Sequence, residues 1–237
     1  MSAPRVTPIK LPLANAYLVR DERPILVDAG YTGDERRIVA ALAAEGLAPR
    51  DLGLIVLTHG HGDHIGAAAA LARLSGAPLA LHRDDWPLAA SGRNGLLVPT
   101  RASARVMAAI FGGALRPVEP FTPDLALDEG LDLTAYGVRG RLLHTPGHTP
   151  GSVSLLLEGG QALAGDLLMG GHLGGALAGR RPRYHYFAAS MEQVRASLGR
   201  LLAAGATRLF VGHGGPLEAA EVRQRIMGGA QAAPAPR

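Results

Sequence analysis

"GLIVLTHGHGDHIG", residues 53 to 66, sets an apolar run directly against a crowd of polar side chains. Residues 54 to 57 are short, continuous and apolar, as expected of a strand buried on both faces. Immediately after them, three histidines and one aspartate fall within positions 59 to 64. In an extended segment side chains alternate, so His59, His61 and Asp63 are expected to face one way. His64 is shifted by one and reads as part of the first turn of a following helix. Gly60 and Gly62 keep the backbone slim between them. A tetrahedral zinc with an open position needs only three protein ligands, whereas four candidates in two sets are what two neighbouring ions require.

Outward from this cluster, the chain alternates strand and helix signals. "RVTPIKL", "NAYLVR" and "ILVDAG" read as a meander over the first thirty residues. A helix is predicted from about Gly33 to Glu45, with Thr32 or Asp34 as its cap. "AAAALARLSG" reads as a helix ending near Gly76, and "PLALH" as another strand. Residues 83 to 123 break the rhythm and predict a helical insertion, in which Met107, Ile110 and Phe111 share a face. Trp86, Met107 and Phe111 are expected either to line a lid over an apolar pocket or to serve as core or dimer contacts.

From Leu131 onward strand signals return in "LDLTAYG", "VRGRLLH", "SVSLLLEGG" and "QALAGDLL". Gly159 and Gly160 predict a hairpin turn, because glycine tolerates the positive dihedrals such turns use. A helix over Ser190 to Ala204, a strand at "RLFVG" and a short helix from Pro216 to Met227 follow. The reading is one domain over residues 1–227, with a disordered tail over 228–237. Two strand blocks, each bordered by helices, predict two facing sheets with helices outside, and strand-end residues of both blocks then meet along one edge.

Composition narrows the chemistry. The chain has no cysteine, so disulfides, thiolate ligands and a cysteine nucleophile are excluded. Any metal must be held by nitrogen and oxygen. The net charge is +4, Lys10 is the sole lysine, and the arginines are scattered apart from "GRRPR" at 179 to 183. A clustered basic face with stacking aromatics is not visible, so a nucleic-acid partner is not expected. The sequence contains neither a signal peptide nor a membrane span, which predicts a cytoplasmic protein with a small-molecule partner. Oligomeric state is not legible.

Three further strand ends offer ligands: His148 in "HTPGHTPGS", Asp166 in "LAGDLL" and His213 in "FVGHGG". Each alone is weak, since an aspartate after a strand is more often a cap. Together with the cluster they make seven nitrogen and oxygen ligands, a set that suits zinc or a similar first-row metal.

With these residues in view, the chain resembles the metallo-β-lactamase superfamily over its ordered length, with a glyoxalase II-like metal site. The matching motifs run in order: Asp28 in "LVDAG", "THGHGDH", His148 in "TPGHTPGS", Asp166 in "AGD" and His213 in "VGHGG". The resemblance implies an α/β fold, a four-layer αββα sandwich, with two divalent metal ions in a cleft at its edge. Zn2+ is the first expectation, with Mn2+ or Fe2+ as alternatives. It further implies that His59, His61 and His148 hold one ion, that Asp63, His64 and His213 hold the other, and that Asp166 bridges. Asp28 is expected to hold the histidine loop without touching metal.

The implied activity is hydrolysis of a small ester, thioester or lactone by a water that loses its proton between two cations near neutral pH. Asp63 and Asp166 are the expected catalytic carboxylates, with Asp63 shuttling a proton. True β-lactamases usually lack an aspartate at the bridging position, so Asp166 argues against them. Glyoxalase II enzymes carry a long helical C-terminal domain that binds glutathione, and the short stretch after His213 does not match it. Acyl-homoserine lactonases typically have tyrosine three residues after the bridging aspartate, where Met169 stands here. An iron-dependent persulfide dioxygenase-like oxygenase is an alternative, although the usual Cys and Arg after the bridging aspartate are unmatched. A phosphodiesterase or nuclease is a third reading.

"RRPRYHYF", residues 180 to 187, is the candidate substrate segment. Tyr184, His185 or Tyr186 is expected to donate to a developing oxyanion, and Arg180, Arg181 or Arg183 to meet an anionic group. The competing reading is a solvated basic loop with its aromatics on the core. His144 reads as structural, and His82 and His172 are unassigned.

Overall fold

The computed structural model describes residues 3–95, 97–111, 117–127 and 131–228, without the side chains of Met107, Ile110 and Phe111. The expected roles of Met107 and Phe111, and nearly all of the expected disordered tail, lie outside what is described.

The meander forms as read: β1 (Arg5–Lys10), β2 (Asn15–Arg20) and β3 (Ile25–Val27) pair antiparallel in sequence. β4 (Ile55–Val56), β5 (Leu79–Leu81) and β6 (Leu125–Ala126) then add in parallel, giving the order β1-β2-β3-β4-β5-β6. The second sheet runs β13-β12-β9-β8-β7. It is built from β7 (Gly140–His144), β8 (Val153–Leu157), β9 (Gln161–Leu163), β12 (Arg208–Phe210) and β13 (Leu217–Glu218). A two-stranded ribbon of β10 (Met169–His172) and β11 (Leu177–Arg183) stands beside them.

Strand alternation distributes the core into three apolar layers. Leu26, Ile55, Leu57, Leu79 and Leu81 face outward from the first sheet onto Ile38 and Leu42 of α1 (Glu35–Ala44) and Leu71 of α3 (Ala68–Ser75). The alternate residues Ile25, Val27, Leu54 and Val56 face inward, against Val153, Leu155, Leu157 and Phe210 of the second sheet. Leu156 and Leu209 point out the far side onto Val194, Leu198 and Leu201 of α6 (Met191–Ala203) and Val222 of α7 (Ala219–Arg225). A period of two in each strand therefore makes both sheets apolar on both faces, and helices must cover the outsides. The fold is the expected α/β sandwich of four layers.

The local signals act as expected at several ends. Gly76 closes α3 at φ +69°, and Gly159 and Gly160 take φ +88° and +84° in the β8–β9 turn. Ser190 caps α6 by accepting from the Gln193 N–H at 3.3 Å. Asp34 stands at the start of α1 but makes no cap bond; its carboxylate accepts from the Tyr31 N–H and from Arg37 instead.

Three expectations are corrected. "LDLTAYG" is not a strand: residues Leu133–Tyr136 form a 3-10 turn, because Asp132 accepts the Thr134 N–H at 2.9 Å and closes the backbone locally. The helix expected from Pro216 begins only at Ala219, since Leu217 and Glu218 pair with β12. Residues 180 to 183, for which a solvated loop was the competing reading, belong to β11. The region 83 to 123 carries α4 (Trp86–Ser91) and α5 (Ala102–Phe111). Trp86 packs on the first core layer with its indole N–H donating to the Leu81 carbonyl, so it covers the core and not the cleft. No described helix is long and apolar enough to cross a membrane.

Candidate metal centre

Strand ends deliver the ligand candidates to one edge. β4 leads into His59, β9 into Asp166, β12 into His213, and the β7–β8 connection carries His148. The Val153 N–H donates to the Thr58 carbonyl at 2.9 Å, so the two sheets are tied where these loops meet. A short helix α2 (Gly62–Ile65) starts inside the histidine cluster. It changes the period there: His59 and His61 join His148, whereas Asp63, His64 and His213 come together. The expectation that Asp63 shares a face with His59 and His61 fails, because alternation ends where the helix begins.

Asp166 lies between the two groups. Its Oδ2 is 3.4 Å from His148 Nε2, 3.3 Å from His213 Nε2 and 4.0 Å from His59 Nε2, and its Oδ1 is 3.6 Å from His64 Nε2. His213 Nε2 is 3.4 Å from Asp63 Oδ2. Two ligand atoms about 2.0–2.1 Å from a tetrahedral ion lie about 3.3 Å apart, so this spacing suits cations better than direct hydrogen bonds. His59 Nε2, His64 Nε2 and Asp166 Oδ1 are buried and have no hydrogen-bond partner, a costly state unless something binds them. A Cβ at Gly212 would stand 2.2 Å from Asp166 Oδ1 and 2.5 Å from His64 Cε1, so glycine is required beside the cluster. The donor set and its orphaned atoms fit a pair of first-row metal ions.

Outer hydrogen bonds to acceptors fix three of the rings. His64 Nδ1 contacts Asp28 at 2.8 Å, His148 Nδ1 the Phe187 carbonyl at 2.8 Å, and His213 Nδ1 the Leu13 carbonyl at 2.9 Å. Each partner is an acceptor, which leaves the Nε2 lone pairs directed inward. Asp28 also accepts from the Thr58 N–H and hydroxyl, at 2.7 and 2.9 Å. It holds φ +62°, a left-handed conformation that costs a non-glycine residue about 1–2 kcal/mol. That strain sits where the carboxylate gathers the start of the histidine loop and the His64 ring.

A second buried carboxylate performs the matching task and was missed in the sequence. Asp85 accepts from the Gly60 N–H (2.8 Å), the Thr149 hydroxyl (2.6 Å) and the Gly151 N–H (2.9 Å). It therefore locks the loop of His59 and His61 to the loop of His148. Nothing in "HRDDW" distinguishes it from an ordinary turn aspartate.

Charge follows the contacts. Burial holds His59 and His148 well below the usual imidazole range and lowers His61 as well. Burial also opposes protonation of His64 and His213, but carboxylates outweigh it there. Asp28 and Asp166 raise His64 well above its usual value, and Asp166 with Asp63 raises His213 to about 10. Burial pushes Asp166 and Asp63 toward the neutral acid. His213, His185 and His64 overcome this at Asp166, and His64 and His213 at Asp63, so both stay ionised. The centre is thus an anionic pocket with several neutral imidazoles, the environment a divalent cation compensates.

Beside it opens a cavity of about 240 Å3. Leu13, Leu97, Met169, Tyr186 and Phe187 give it an apolar wall. Of the candidate substrate residues, His185 and Tyr186 line this cavity, and His185 Nε2 stands 3.3 Å from Asp166 Oδ2. Burial pushes His185 down to about 4, so its ring is neutral. Arg183 and Tyr184 do not face the cavity. The chain turns as it leaves β11, and Tyr184 packs with the layer under α6 while Arg183 lines a separate pocket with Arg181. Asn94, also missed, completes the wall. Its Oδ1 accepts the Gly62 N–H at 2.6 Å, and its Nδ2 is buried without a partner. In sequence, "GRNG" reads only as a turn.

The remaining histidines lie elsewhere. His144 stacks on His82 with ring centroids 4.1 Å apart and contacts the Pro150 carbonyl through Nε2, in keeping with a structural role. His172 contacts Arg183.

Comparison with known proteins agrees with this geometry. The sequence profile of the metallo-beta-lactamase superfamily matches residues 10–213. The probable metallo-hydrolase YqgX of Bacillus subtilis is 31% identical over 167 residues, covering 68% of this chain and 69% of that protein. A hydroxyacylglutathione hydrolase of Anaeromyxobacter dehalogenans is 32% identical over 150 residues, which is 63% of this chain but 45% of that enzyme. Among solved structures, TTHA1623 in a di-iron-bound form superimposes with a TM-score of 0.67 at 33% identity, covering 92% of this chain and 97% of that one.

Proposed function

Because the chain belongs to the metallo-beta-lactamase superfamily and is a metal-dependent hydrolase, we propose that it cleaves a small ester, thioester or lactone with two divalent ions. His59, His61 and His148 would hold one ion, Asp63, His64 and His213 the other, with Asp166 shared between them. The observation that carries this reading is the Asp166 carboxylate, set 3.3 to 3.6 Å from His148, His213 and His64 with one oxygen unpartnered. Bound there, the ions supply Lewis-acid polarisation of the substrate oxygen and a water acidified to near neutral pH. Zinc is the favoured metal for an all-nitrogen-and-oxygen site, and the di-iron form of TTHA1623 supports iron as a second candidate.

The chain's own residues provide the rest. Asn94 Nδ2, with its amide orientation fixed by the Gly62 N–H, donates to the substrate carbonyl oxygen as charge develops. His185 and Tyr186 form the opposite wall, where a neutral His185 hydrogen-bonds without bringing a second charge to the cavity. Asp63, whose side chain lines the cavity, would take the proton of the attacking water and pass it to the leaving group. Leu97, Met169 and Phe187 exclude water around an apolar acyl group. Relatives named hydroxyacylglutathione hydrolase support an acyl substrate.

The test is a panel of esters, thioesters, lactones and phosphodiesters offered to the zinc-, manganese- and iron-loaded protein, with oxygen uptake recorded. Acyl hydrolysis without oxygen consumption is the expected outcome. Substrate-dependent oxygen uptake by the iron form alone would replace hydrolysis with an oxygenase reaction.

A further inference from the structure

On the far side of Tyr186 from the metals lies a second, open pocket of about 580 Å3, between β11, the start of α5 and α7. Four arginines from three separate chain segments line it, Arg225 of α7 among them. Arg181 and Arg183 stand two apart on β11 and so share one face of the strand, and Arg101 comes from the turn into α5.

What sets Arg101, Arg181 and Arg183 apart is that they converge on one pocket with no described carboxylate in its lining, two of them half-buried. Arg5, Arg20, Arg37, Arg73, Arg139, Arg208 and Arg225 each pair with a carboxylate. Among the described residues, Arg101, Arg181 and Arg183 have no such pair. Arg101 donates to the Tyr184 carbonyl at 3.3 Å and lies 4.4 Å over the Tyr186 ring. Arg183 contacts only His172 through its terminal nitrogen. The Nε of Arg101 and the Nε of Arg183 are both buried with no hydrogen-bond partner. Arg225 on the rim is already committed to Glu221 at 2.7 Å.

The local field is correspondingly positive. Burial and then Arg183 lower the Arg101 guanidinium below its usual value. Burial, Arg183, Arg101 and Arg181 together lower His172, so that ring stays neutral and adds no charge of its own. Gathering like charges in partial burial is unfavourable unless an anion joins them. Guanidinium forks match the planar or tetrahedral oxygens of carboxylate and phosphate.

We propose that this pocket is an anion-binding site, distinct from the metal centre, for a small ligand bearing a phosphate or dicarboxylate group. The cluster suits one dianionic group, because no described carboxylate lines this pocket and the Nε atoms of Arg101 and Arg183 are buried without a partner. The proposal does not depend on which substrate the metal centre cleaves.

Titration calorimetry of the metal-loaded protein with inorganic phosphate tests it, against chloride at matched ionic strength. Phosphate can also reach the metals, so wild type is compared with Arg181→Gln and Arg183→Gln. Arg181 is exposed and makes no described internal bond, so R181Q folds even if R183Q does not. The expected result is saturable phosphate binding that weakens about tenfold in R181Q, the loss of one charge-assisted contact. Malonate in a parallel titration tells a carboxylate ligand from a phosphate one, and either, bound with the same sensitivity to R181Q, supports the site. No saturable binding of either anion, or binding unchanged in R181Q, would overturn it, the latter by assigning the anion to the metals.

Discussion

The histidine loop and the segment 180 to 187 border the same cleft, yet they differ in how much of their orientation is local. Around the loop, three imidazoles have a fixed outer acceptor and an inward nitrogen: Asp28 for His64, the Phe187 carbonyl for His148, the Leu13 carbonyl for His213. In 180 to 187, four consecutive residues divide between two pockets. Arg183 and Tyr184 line the outer one, Tyr184 also packing toward α6 and α7, and His185 and Tyr186 face the cleft. Metal ligation imposes spacing on a sequence; lining a wall does not. The comparison breaks if residues of the second segment prove as critical as those of the first.

The largest expected effect is at the centre. Asp166→Ala should lower kcat by at least about a thousandfold and release metal, read together from turnover and metal content. Full activity in that variant would remove the bridging role. Asn94→Ala should lower kcat by about a hundredfold with metal content intact, the usual loss for one oxyanion donor; a change in KM alone would reassign Asn94 to ground-state binding.

Asp85→Asn removes one acceptor from the clamp between the two ligand loops. It should weaken metal binding by about 10–100-fold in chelator competition. Unchanged affinity would mean that the loops are held by the sheets alone.

The pH dependence follows from His213 and His64. Both are raised in the ion-free protein, His213 to about 10. Their stabilising protonation is fully present below the ordinary imidazole value of about 6.5 and is lost as pH rises through the raised value. Metal must displace those protons, so affinity should rise by up to about tenfold per pH unit for each proton released, measured between pH 6 and 8. A pH-independent affinity would show that neither ring carries a proton before the metal enters.

At the small end, Tyr184→Phe should leave kcat/KM within about twofold, since its hydroxyl lies 3.5 Å from the Ile226 carbonyl, away from the cleft. A large loss there would erase the contrast between Tyr184 and its neighbour His185.

Legibility in the sequence tracked how local each constraint is. The buried strands and the glycine turns at Gly76 and Gly159–Gly160 depend on neighbours a few residues away, and they were readable. "LDLTAYG" failed because Asp132 competes for a backbone N–H, a contact that hydrophobic alternation does not register. Strand alternation alone grouped Asp63 with His59 and His61, whereas the resemblance grouped it with His64 and His213. The onset of α2 changes the side-chain period inside the motif and gives the second grouping. Asp85 and Asn94 were invisible: each looks like a turn residue and acquires its role from donors 25 to 66 residues away.

The sequence by itself determined the layering and the chemistry. Alternating apolar strands must be covered on both faces, and a chain without cysteine that concentrates histidine and aspartate at strand ends presents a nitrogen-and-oxygen metal site. Only the tertiary structure decided that Asp85 ties the two ligand loops together, that Asn94 joins the wall, and which of residues 180 to 187 face the cavity. Those outcomes rest on contacts between segments brought together by sheet pairing, where a rotation of one residue sends a side chain to a different pocket.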